Sequence, residues 1–287
     1  MAVTIGSFDG VHLGHQDVIR RTVAAAAGTG AAPALITFEP HPRCVLDPAN
    51  CPQSITTLHE RLELLEASGI EHAIVLRFDR ALASKSPLEF IEMLGETMSI
   101  KRWVLGFDFA FGNQRKGNAT WLREHGLEVD VVPPFEFEGE ALHSSDIRRL
   151  INTGDVREAN RLLGREYAMA GPVEMGDQVG RRLGFPTANI GVEANKLVPA
   201  LGAYAGRVIA LEREFVAALS VGYRPTFGGT QLRVEAFVLD FEGDLYQKRI
   251  EMRFIEYLHP DIRFDSPADL VVQLKKDVAD TRRIVSR

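Results

Sequence analysis

Two histidines lie three positions apart in a glycine-containing segment near the N-terminus. The segment covers residues 6–15 and reads Gly-Ser-Phe-Asp-Gly-Val-His-Leu-Gly-His, with the imidazoles at His12 and His15. Imidazole N–H groups can donate hydrogen bonds to phosphate oxygens whose charge grows as a leaving group departs. Side chains at this spacing on a helix project to the same side, so the pattern predicts that both histidines face one ligand.

The neighbouring residues predict a local structure that suits an anion. A β-branched run, Val3 to Ile5, precedes the segment, and an apolar and basic pattern follows it. This order predicts a strand, a glycine turn and a helix, whose N-terminus favours phosphate through its unpaired N–H groups. Gly10 and Gly14 carry no Cβ and allow the backbone to approach a ligand closely. A histidine pair on a helix is also commonly structural, and the short motif leaves that alternative open.

A second candidate phosphate site covers residues 143–148, His-Ser-Ser-Asp-Ile-Arg. Ser144 and Ser145 stand at a predicted helix start, where hydroxyls cap exposed N–H groups and where the helix end can instead hold a phosphate. Arg148 offers a planar fork of donors to the same anion. Simple helix capping, with Arg148 on a solvated face, is the alternative.

Phenylalanines alternate around one acid in residues 106–112, Gly-Phe-Asp-Phe-Ala-Phe-Gly. The preceding apolar run, Trp103 to Leu105, predicts a strand that leads into this segment. The aromatic rings could form a wall for a flat ligand, with Asp108 as a polar anchor in an apolar pocket. An ordinary strand end with one core-facing side is the alternative.

A glycine-rich, polar stretch begins at Gly176, Asp177 and Gly180 and ends at Thr187 and Asn189. Such a turn can wrap nucleotide phosphates, and the two side-chain oxygens at its end can hold a hard cation such as Mg²⁺. A glycine-rich hairpin is the commoner meaning of such a stretch. The chain contains no Walker A sequence, which excludes a P-loop kinase.

Composition bounds the class of protein. The chain has 287 residues, 45% apolar and 25% charged, which is typical of a soluble globular protein and sufficient for two domains. Its formal net charge of −6 argues against general nucleic-acid binding. No run approaches the apolar length of a membrane span, and no signal pattern opens the chain, so we expect a cytoplasmic protein with no membrane partner. The residues do not predict an oligomeric state.

The two cysteines, Cys44 and Cys51, are not expected to form a disulfide in a chain of this size and compartment. With His41 and His59 they could be arranged as a zinc site, but their intervals match no common zinc pattern. A loop is the structure expected around them.

The elements that must position these residues fall into two groups. In the first half, short apolar runs such as Ala34 to Phe38 alternate with helical patterns that begin at capping boxes, Thr57 to Glu60 and Ser86 to Glu89. This alternation predicts a doubly wound parallel sheet with helices on both faces and ligands at the carboxyl ends of its strands. Pro40 and Pro42 predict a fixed loop at one such end.

Beyond Tyr167 the pattern changes to β-prone runs with glycine turns between them. An antiparallel β-barrel is predicted from the runs 203–209, 216–221, 232–241 and 245–257. Ser266 then caps a predicted terminal helix that packs on the barrel. Glu235 falls within the third run, where an outward-facing strand residue is the default interpretation.

Motifs in both halves resemble one family. Residues 6–15 resemble the HxGH nucleotidyltransferases and, with Thr-Phe-Glu-Pro-His-Pro at 37–42, the phenylalanine segment and 143–148, they resemble the bacterial bifunctional riboflavin kinase/FAD synthetases in particular. Gly-Phe-Pro-Thr-Ala-Asn at 184–189 is similar to the signature of riboflavin kinases, and 222–226 matches a further segment of that family. The resemblance covers nearly the whole chain.

The resemblance implies two domains and two reactions. It implies an FMN adenylyltransferase domain over 1–153, a helical linker over 154–165, and a riboflavin kinase domain over 166–287 with a six-stranded-type β-barrel and a C-terminal helix. The kinase would phosphorylate riboflavin to FMN with ATP and Mg²⁺, and the other domain would adenylylate FMN to FAD with release of pyrophosphate.

The resemblance also implies roles for individual residues. The catalytic residues would be His12, His15, Arg148 and Glu235, the last as the base for the riboflavin 5′-hydroxyl. The nucleotide and phosphate contacts would be Gly6, Ser7, Phe8, Asp9, Gly10, Gly14, Ser144, Ser145, Gly176, Asp177, Gly180 and Pro186. The flavin contacts would be Asp108, Phe109, Phe111 and Arg282, and the metal ligands Thr187 and Asn189.

The chain departs from the family pattern at several positions. Ser7 replaces an asparagine, Glu39 an aspartate, His143 a serine, Ser145 a threonine and Gln178 a basic residue. Two alternatives therefore stay open. One is an adenylyltransferase for another phosphorylated acceptor, and the other is a flavin- or nucleotide-binding regulator with weakened catalysis.

Overall fold

The computed structural model describes residues 1–175, 184–226, 229–264 and 266–286. The chain divides into two compact units, Met1–Ser144 and Ser145–Arg287. This division falls earlier than the domain end at 153 expected from the sequence, and the functional extents of the domains stay a prediction. Within the described ranges, no helix has both the length and the apolar content of a membrane span.

The first unit contains a five-stranded sheet. Its strands are β1 (Ala2–Ile5), β2 (Pro33–Glu39), β3 (His72–Arg77), β4 (Arg102–Gly106) and β5 (Val129–Val132). All pairs are parallel and the order is β3-β2-β1-β4-β5, so the predicted doubly wound sheet is confirmed. A small antiparallel pair follows, β6 (Glu136–Phe137) with β7 (Glu140–Ala141).

Helices pack on both faces of this sheet. They are α1 (Leu13–Thr29), α2 (Pro42–Leu46), α3 (Leu58–Ala67), α4 (Arg80–Ser84), α5 (Pro87–Gly95) and α6 (Ala119–Glu124). Successive side chains of a strand point to opposite faces, so neighbouring residues of β2 enter different clusters. Ile36 packs with Phe90 of α5, whereas Leu35 packs with Ile19 of α1 and Leu65 of α3.

The predicted starts of α3 and α5 are confirmed. Thr57 Oγ1 accepts from the Glu60 N–H at 3.2 Å, and the Glu60 carboxylate accepts from the Thr57 N–H at 2.9 Å. Ser86 and Glu89 form the same reciprocal pair. Each box satisfies N–H groups that a helix start would otherwise leave unpaired.

The proline-containing segment after β2 is a loop only in part. Glu39 ends the strand, and the Glu39–Pro40 peptide is cis. Pro42 occupies the first turn of α2, where the missing N–H of proline is not needed. The prediction of a loop through Pro42 was therefore wrong at its last residue.

A disulfide joins Cys44 and Cys51. Cys44 lies within α2 and Cys51 follows a 3₁₀ turn, Pro48–Asn50, and the turn between them brings the two Cα atoms to 4.2 Å. The expectation of two unpaired cysteines in a loop was wrong. In the part of the chain that the structure describes, no group of three or more His, Cys, Asp or Glu residues could hold a metal ion.

The second unit is a closed antiparallel barrel with helices before and after it. The helix α7 (Ser144–Asn152) begins on the last residue of the first unit and is followed by α8 (Val156–Leu163). The strands are β8 (Tyr167–Glu174), β9 (Thr187–Ile190), β10 (Gly202–Ala210), β11 (Arg213–Thr226), β12 (Gly229–Val238) and β13 (Arg249–Pro260), and the terminal helix is α9 (Pro267–Val285). The barrel order β10-β11-β12-β9-β8-β13 confirms the predicted six-stranded barrel with a C-terminal helix.

The four predicted runs correspond to β10 through β13, whereas β8 and β9 were not singled out as strands. The third run was predicted to end at Phe241, but β12 already ends at Val238. The fourth run was predicted to begin at Leu245, but β13 begins only at Arg249. The chain turns between the two strands, and Asp240 and Gln247 adopt positive φ there, which regular strands do not allow.

Candidate active sites

The loop after β1 brings the two histidines together at the carboxyl edge of the sheet, as their spacing predicts. His12 immediately precedes α1, and its Nδ1 accepts a hydrogen bond from the His15 backbone N–H at 3.4 Å. The imidazole rings stack with centroids 3.7 Å apart and planes 21° apart. The Nε2 position of His12 can donate a hydrogen bond while Nδ1 accepts this one.

A first cavity, of about 240 Å³, opens beside these rings. The ends of β1 and β4 and the start of α1 form its walls. The predicted site residues that line it are Gly6, Phe8, His12, Gly14, His15, Asp108, Phe109 and Ser144. The structure therefore places most of the predicted adenylyl-transfer residues of the first unit around one space.

A second cavity, of about 570 Å³, shares Gly6, Asp108 and Phe109 with the first and is also lined by Ser7 and Phe111. Phenylalanine rings give it an apolar wall. The rings of Phe109 and Phe111 lie nearly parallel, with centroids 6.1 Å apart. A cavity of this kind suits a flat aromatic ligand whose polar end extends toward the first cavity.

Asp9 faces the protein interior. It is 2% exposed, and its carboxylate accepts hydrogen bonds from the backbone N–H of Ile55 at 3.1 Å and of Thr56 at 3.0 Å. The N–H of Gly10 donates to Thr56 Oγ1 at 3.0 Å. Asp9 therefore fixes the glycine turn to the loop before α3, and its predicted contact with phosphate stays a prediction.

Arg61 is a residue of this region that the sequence motifs did not identify. It is 3% exposed, and its guanidinium donates to the Ser7 carbonyl oxygen and to the Glu39 carboxylate, each at 2.8 Å. A signal was present, because Arg61 stands between Leu58 and Leu65 at helical spacing on the buried face of α3. A charged residue at such a position indicates a buried partner.

Five further predicted phosphate-binding residues lie either on the second unit's first helix or outside the described residues. Ser145 and Arg148 lie on α7 within the second unit. Gly176, Asp177 and Gly180 lie outside the described residues. Their roles stay predictions.

In the second unit, three predicted kinase residues, Thr187, Asn189 and Glu235, lie on two adjacent strands. Glu235 of β12 pairs directly with Asn189 of β9. Thr187, two residues before Asn189, donates from Oγ1 to the Glu235 carboxylate at 3.1 Å. The structure thus brings together the predicted base and both predicted metal ligands.

Thr187 lies between two cavities of the barrel unit. One, of about 480 Å³, is lined by Pro186, Thr187 and Asn189 and by the turn after β12. The other, of about 330 Å³, is lined by Thr187, Glu235 and side chains of α9. Glu235 does point outward from the barrel, as its strand position predicts, but the terminal helix covers that side and makes a pocket of it.

The oxygens at this junction fit a hard cation. Asn189 is 6% exposed, and its Oδ1 is buried without a hydrogen-bond partner among the described residues. A buried amide oxygen is costly to leave unpaired, and Mg²⁺ accepts carbonyl, hydroxyl and carboxylate oxygens as ligands. Thr187 Oγ1 and Asn189 Oδ1 are therefore oxygens that would fit a magnesium ion.

Arg282, one of the predicted flavin contacts, is engaged elsewhere within the barrel unit. Its guanidinium makes a two-pronged ion pair with the Asp240 carboxylate, both contacts at 2.7 Å. Hydrogen bonds from Arg282 hold the pKa of Asp240 below its usual value. Arg282 does not line the cavity that contains Glu235, and its flavin contact stays a prediction.

Both units match family models. A model described as FAD synthetase matches residues 1–146, and one described as riboflavin kinase matches residues 163–285. Proteins described as bifunctional riboflavin kinase/FMN adenylyltransferase are 34% identical in Listeria monocytogenes and 33% identical in Bacillus subtilis. Each of these matches covers 99% of this chain and 92% of the relative.

A solved structure shares the fold of both units. It is a Streptococcus pneumoniae crystal structure described as a macrolide-efflux protein, with a TM-score of 0.90 and 34% identity, and the match covers 98% of this chain and 93% of the other. The efflux description belongs to that protein. For this chain, the two cavities of the first unit and the Thr187–Glu235 junction of the second agree with the two family matches.

Proposed function

The chain belongs to the bifunctional riboflavin kinase/FMN adenylyltransferase family, and we propose that the sites described above carry its two reactions. It phosphorylates riboflavin to FMN with ATP and adenylylates FMN to FAD. The barrel cavities would serve the first reaction and the cavities of the parallel-sheet unit the second. The observation that carries this assignment is the hydrogen-bonded pair of Thr187 and Glu235 between two cavities of the barrel unit. The stacked histidines belong to the parallel-sheet unit.

In the kinase reaction, the 5′-oxygen of riboflavin attacks the γ-phosphorus of ATP, and the bond to the β–γ bridging oxygen breaks, so ADP leaves. Glu235 accepts the proton of the 5′-hydroxyl. Thr187 and Asn189 would hold Mg²⁺, and the ion would supply positive charge to neutralise the phosphates. Asn189 Oδ1 has no hydrogen-bond partner in the described part of the chain, which supports this assignment.

The hydrogen bond between Thr187 and Glu235 gives the threonine a second role. It orients the carboxylate toward the cavity under α9, where we place the flavin. It also links the proton acceptor to the phosphate side of the site. A single residue on both cavities can therefore keep the attacking hydroxyl and the nucleotide in register.

In the adenylyl transfer, a phosphate oxygen of FMN attacks the α-phosphorus of ATP, and the bond to the α–β bridging oxygen breaks, so pyrophosphate leaves. The attacking oxygen is already anionic and needs no base. His12 and His15 donate hydrogen bonds to phosphate oxygens as their charge grows. Ser144, Ser145 and Arg148 would bind the leaving pyrophosphate, a role that follows from the family.

The flavin of FMN fits the second cavity of the first unit. Phe109 and Phe111 provide parallel rings there, and Asp108 lines both cavities. We place the isoalloxazine ring against these phenylalanines and the FMN phosphate beside the histidines. This arrangement gives the shared residues, Gly6, Asp108 and Phe109, a position at the junction of acceptor and nucleotide.

Incubation of the purified protein with riboflavin, ATP and Mg²⁺, followed by chromatography of the flavins, tests this function. We expect FMN to form first and FAD to follow. FMN without FAD would mean that the first unit is inactive, as the replacement at His143 allows. A protein that bound flavin and formed neither product would be the regulator that the sequence left open.

A further inference from the structure

Arg61 joins the ends of two strands that bound the cavities of the first unit. One amino group of its guanidinium donates to the carbonyl oxygen of Ser7, just after β1, and the other donates to the carboxylate of Glu39, the last residue of β2. Arg61 is 3% exposed, whereas the Glu39 side chain is 37% exposed. The arginine therefore reaches both groups from inside the protein.

The Ser7 carbonyl is held from two sides. Thr37 of β2 donates to it from Oγ1 at 3.0 Å, in addition to Arg61 at 2.8 Å. A carbonyl oxygen has two lone pairs, so these bonds occupy its full accepting capacity. Because a peptide unit is planar, fixing this oxygen also fixes the N–H of Phe8 on the opposite side of the peptide.

The fixed peptide belongs to the loop that lines both cavities. Ser7 lines the second cavity and Phe8 the first. Phe8 adopts φ of +49°, an unusual conformation for a residue with a side chain, and surrounding contacts must hold it there. On the other side, Phe38, next to Glu39, lines the second cavity.

We propose that Arg61 is a positioning residue for adenylyl transfer, one that sets the orientation of the Ser7–Phe8 peptide and its separation from the end of β2. The proposal rests on the assignment of adenylyl transfer to these cavities. Arg61 touches neither cavity and acts through Ser7 and Glu39. Its planar fork suits this task, since two hydrogen bonds leave the guanidinium in fixed directions.

The test compares Arg61→Met and Arg61→Lys with Leu65→Ala as a matched control. Leu65 is buried in the same helix and belongs to the apolar cluster that contains Phe8, but it makes none of these hydrogen bonds. Its truncation therefore removes buried packing and leaves both donors to the Ser7 carbonyl in place. We expect Arg61→Met to lower kcat/KM for FAD formation by about 10²-fold, the effect of small misplacement of reacting groups. The kcat/KM of Arg61→Lys for FAD formation should lie between the values of Arg61→Met and the wild type, because an ammonium group can replace only part of the guanidinium fork.

Riboflavin phosphorylation by the same molecules serves as the internal reference and should be unchanged. Assays run well below the unfolding temperature of each variant should show Leu65→Ala near wild type in FAD formation. The positioning role would be overturned if Arg61→Met and Leu65→Ala lost FAD formation equally. It would also be overturned if Arg61→Met formed FAD as the wild type does. If Arg61→Met does not fold, Arg61→Lys and Glu39→Gln decide, and wild-type kcat/KM in both would overturn it as well. A wild-type protein that makes no FAD would instead refute the function assigned to the site.

Discussion

The hydroxyl of Thr187 donates a hydrogen bond to the carboxylate of Glu235 across the β9–β12 pair, with 3.1 Å between the two oxygens. Each residue also lines the cavity that the terminal helix covers. A carboxylate that is oriented in this way has one defined direction in which to accept a proton. In the proposed mechanism, the pair connects the strand geometry of the barrel to proton transfer in the kinase reaction.

Replacing Thr187 with valine should impair the kinase selectively. Valine keeps the shape of threonine and removes the hydroxyl, so both the bond to Glu235 and the proposed metal ligand are lost. We expect kcat for FMN formation to fall by about 10²-fold or more, whereas FAD formation from added FMN should not change. Thr187→Ser is the matched control, because it keeps the hydroxyl, and it should retain most activity. A fully active Thr187→Val variant would contradict the assignment.

Asp9→Asn should reduce stability before it affects catalysis. The amide would place an NH₂ group against one of the two backbone N–H donors that the carboxylate now satisfies. We expect a loss of about 1–3 kcal/mol in the free energy of unfolding of the first unit. Trp103 and Trp121 are the two tryptophans of the chain, and both lie in the first unit, so tryptophan fluorescence follows its unfolding. Unchanged stability with a raised KM for ATP would favour the phosphate contact instead.

The disulfide should stabilise the first unit under oxidising conditions. The double variant Cys44→Ser, Cys51→Ser should lose about 2 kcal/mol in free energy of unfolding, as expected for closure of a short loop. Unfolding followed by tryptophan fluorescence, with and without a dithiol reductant, measures this effect. The reduced wild type should have the same free energy of unfolding as the double variant. The double variant is the control, because the reductant should not change its stability. Equal stability of oxidised and reduced wild type would mean that the bond does not form in solution.

The ion pair between Asp240 and Arg282 gives a prediction about pH. Hydrogen bonds from Arg282 lower the pKa of Asp240. The ion pair is therefore fully formed at pH values above the ordinary carboxyl pKa, and it is lost as the pH falls through the lowered pKa of Asp240. NMR titration of the Asp240 carboxyl should show this low pKa, and Arg282→Ala should raise it to an ordinary value. If Arg282 leaves Asp240 to contact the flavin, saturating riboflavin will raise the pKa as well. A pKa that does not respond to riboflavin would count against the flavin contact.

Local sequence patterns were sufficient to predict the doubly wound sheet and the closeness of the two histidines. The residues of the capping boxes at Thr57 and Ser86 lie within one helical turn of each other, and the two histidines are only three positions apart. A short stretch of sequence therefore contains both patterns. The strand alternation around Leu35 and Ile36 is equally local. These signals agree with one another, which is why the doubly wound sheet could be predicted before its contacts were known.

The features that were missed depend on contacts between distant parts of the chain. Arg61 bonds to Ser7, 54 positions earlier, and Asp9 bonds to Thr56, 47 positions later, so no short pattern indicates either partner. The disulfide forms because the turn after α2 brings Cys44 and Cys51 together, and their spacing alone does not predict it. The strand β9 has only four residues and begins within a proline-containing motif that reads as a loop.

The central claim is that two independent sites carry the two reactions, and His15→Ala tests it most directly. His15 lines the first cavity of the parallel-sheet unit and has no part in the Thr187–Glu235 junction. The variant is incubated with riboflavin, ATP and Mg²⁺, and the flavins are resolved by chromatography over time. We predict that FMN accumulates at the wild-type rate while FAD formation stops. Equal loss of FMN and FAD formation, or FAD formation at the wild-type rate, would contradict the account.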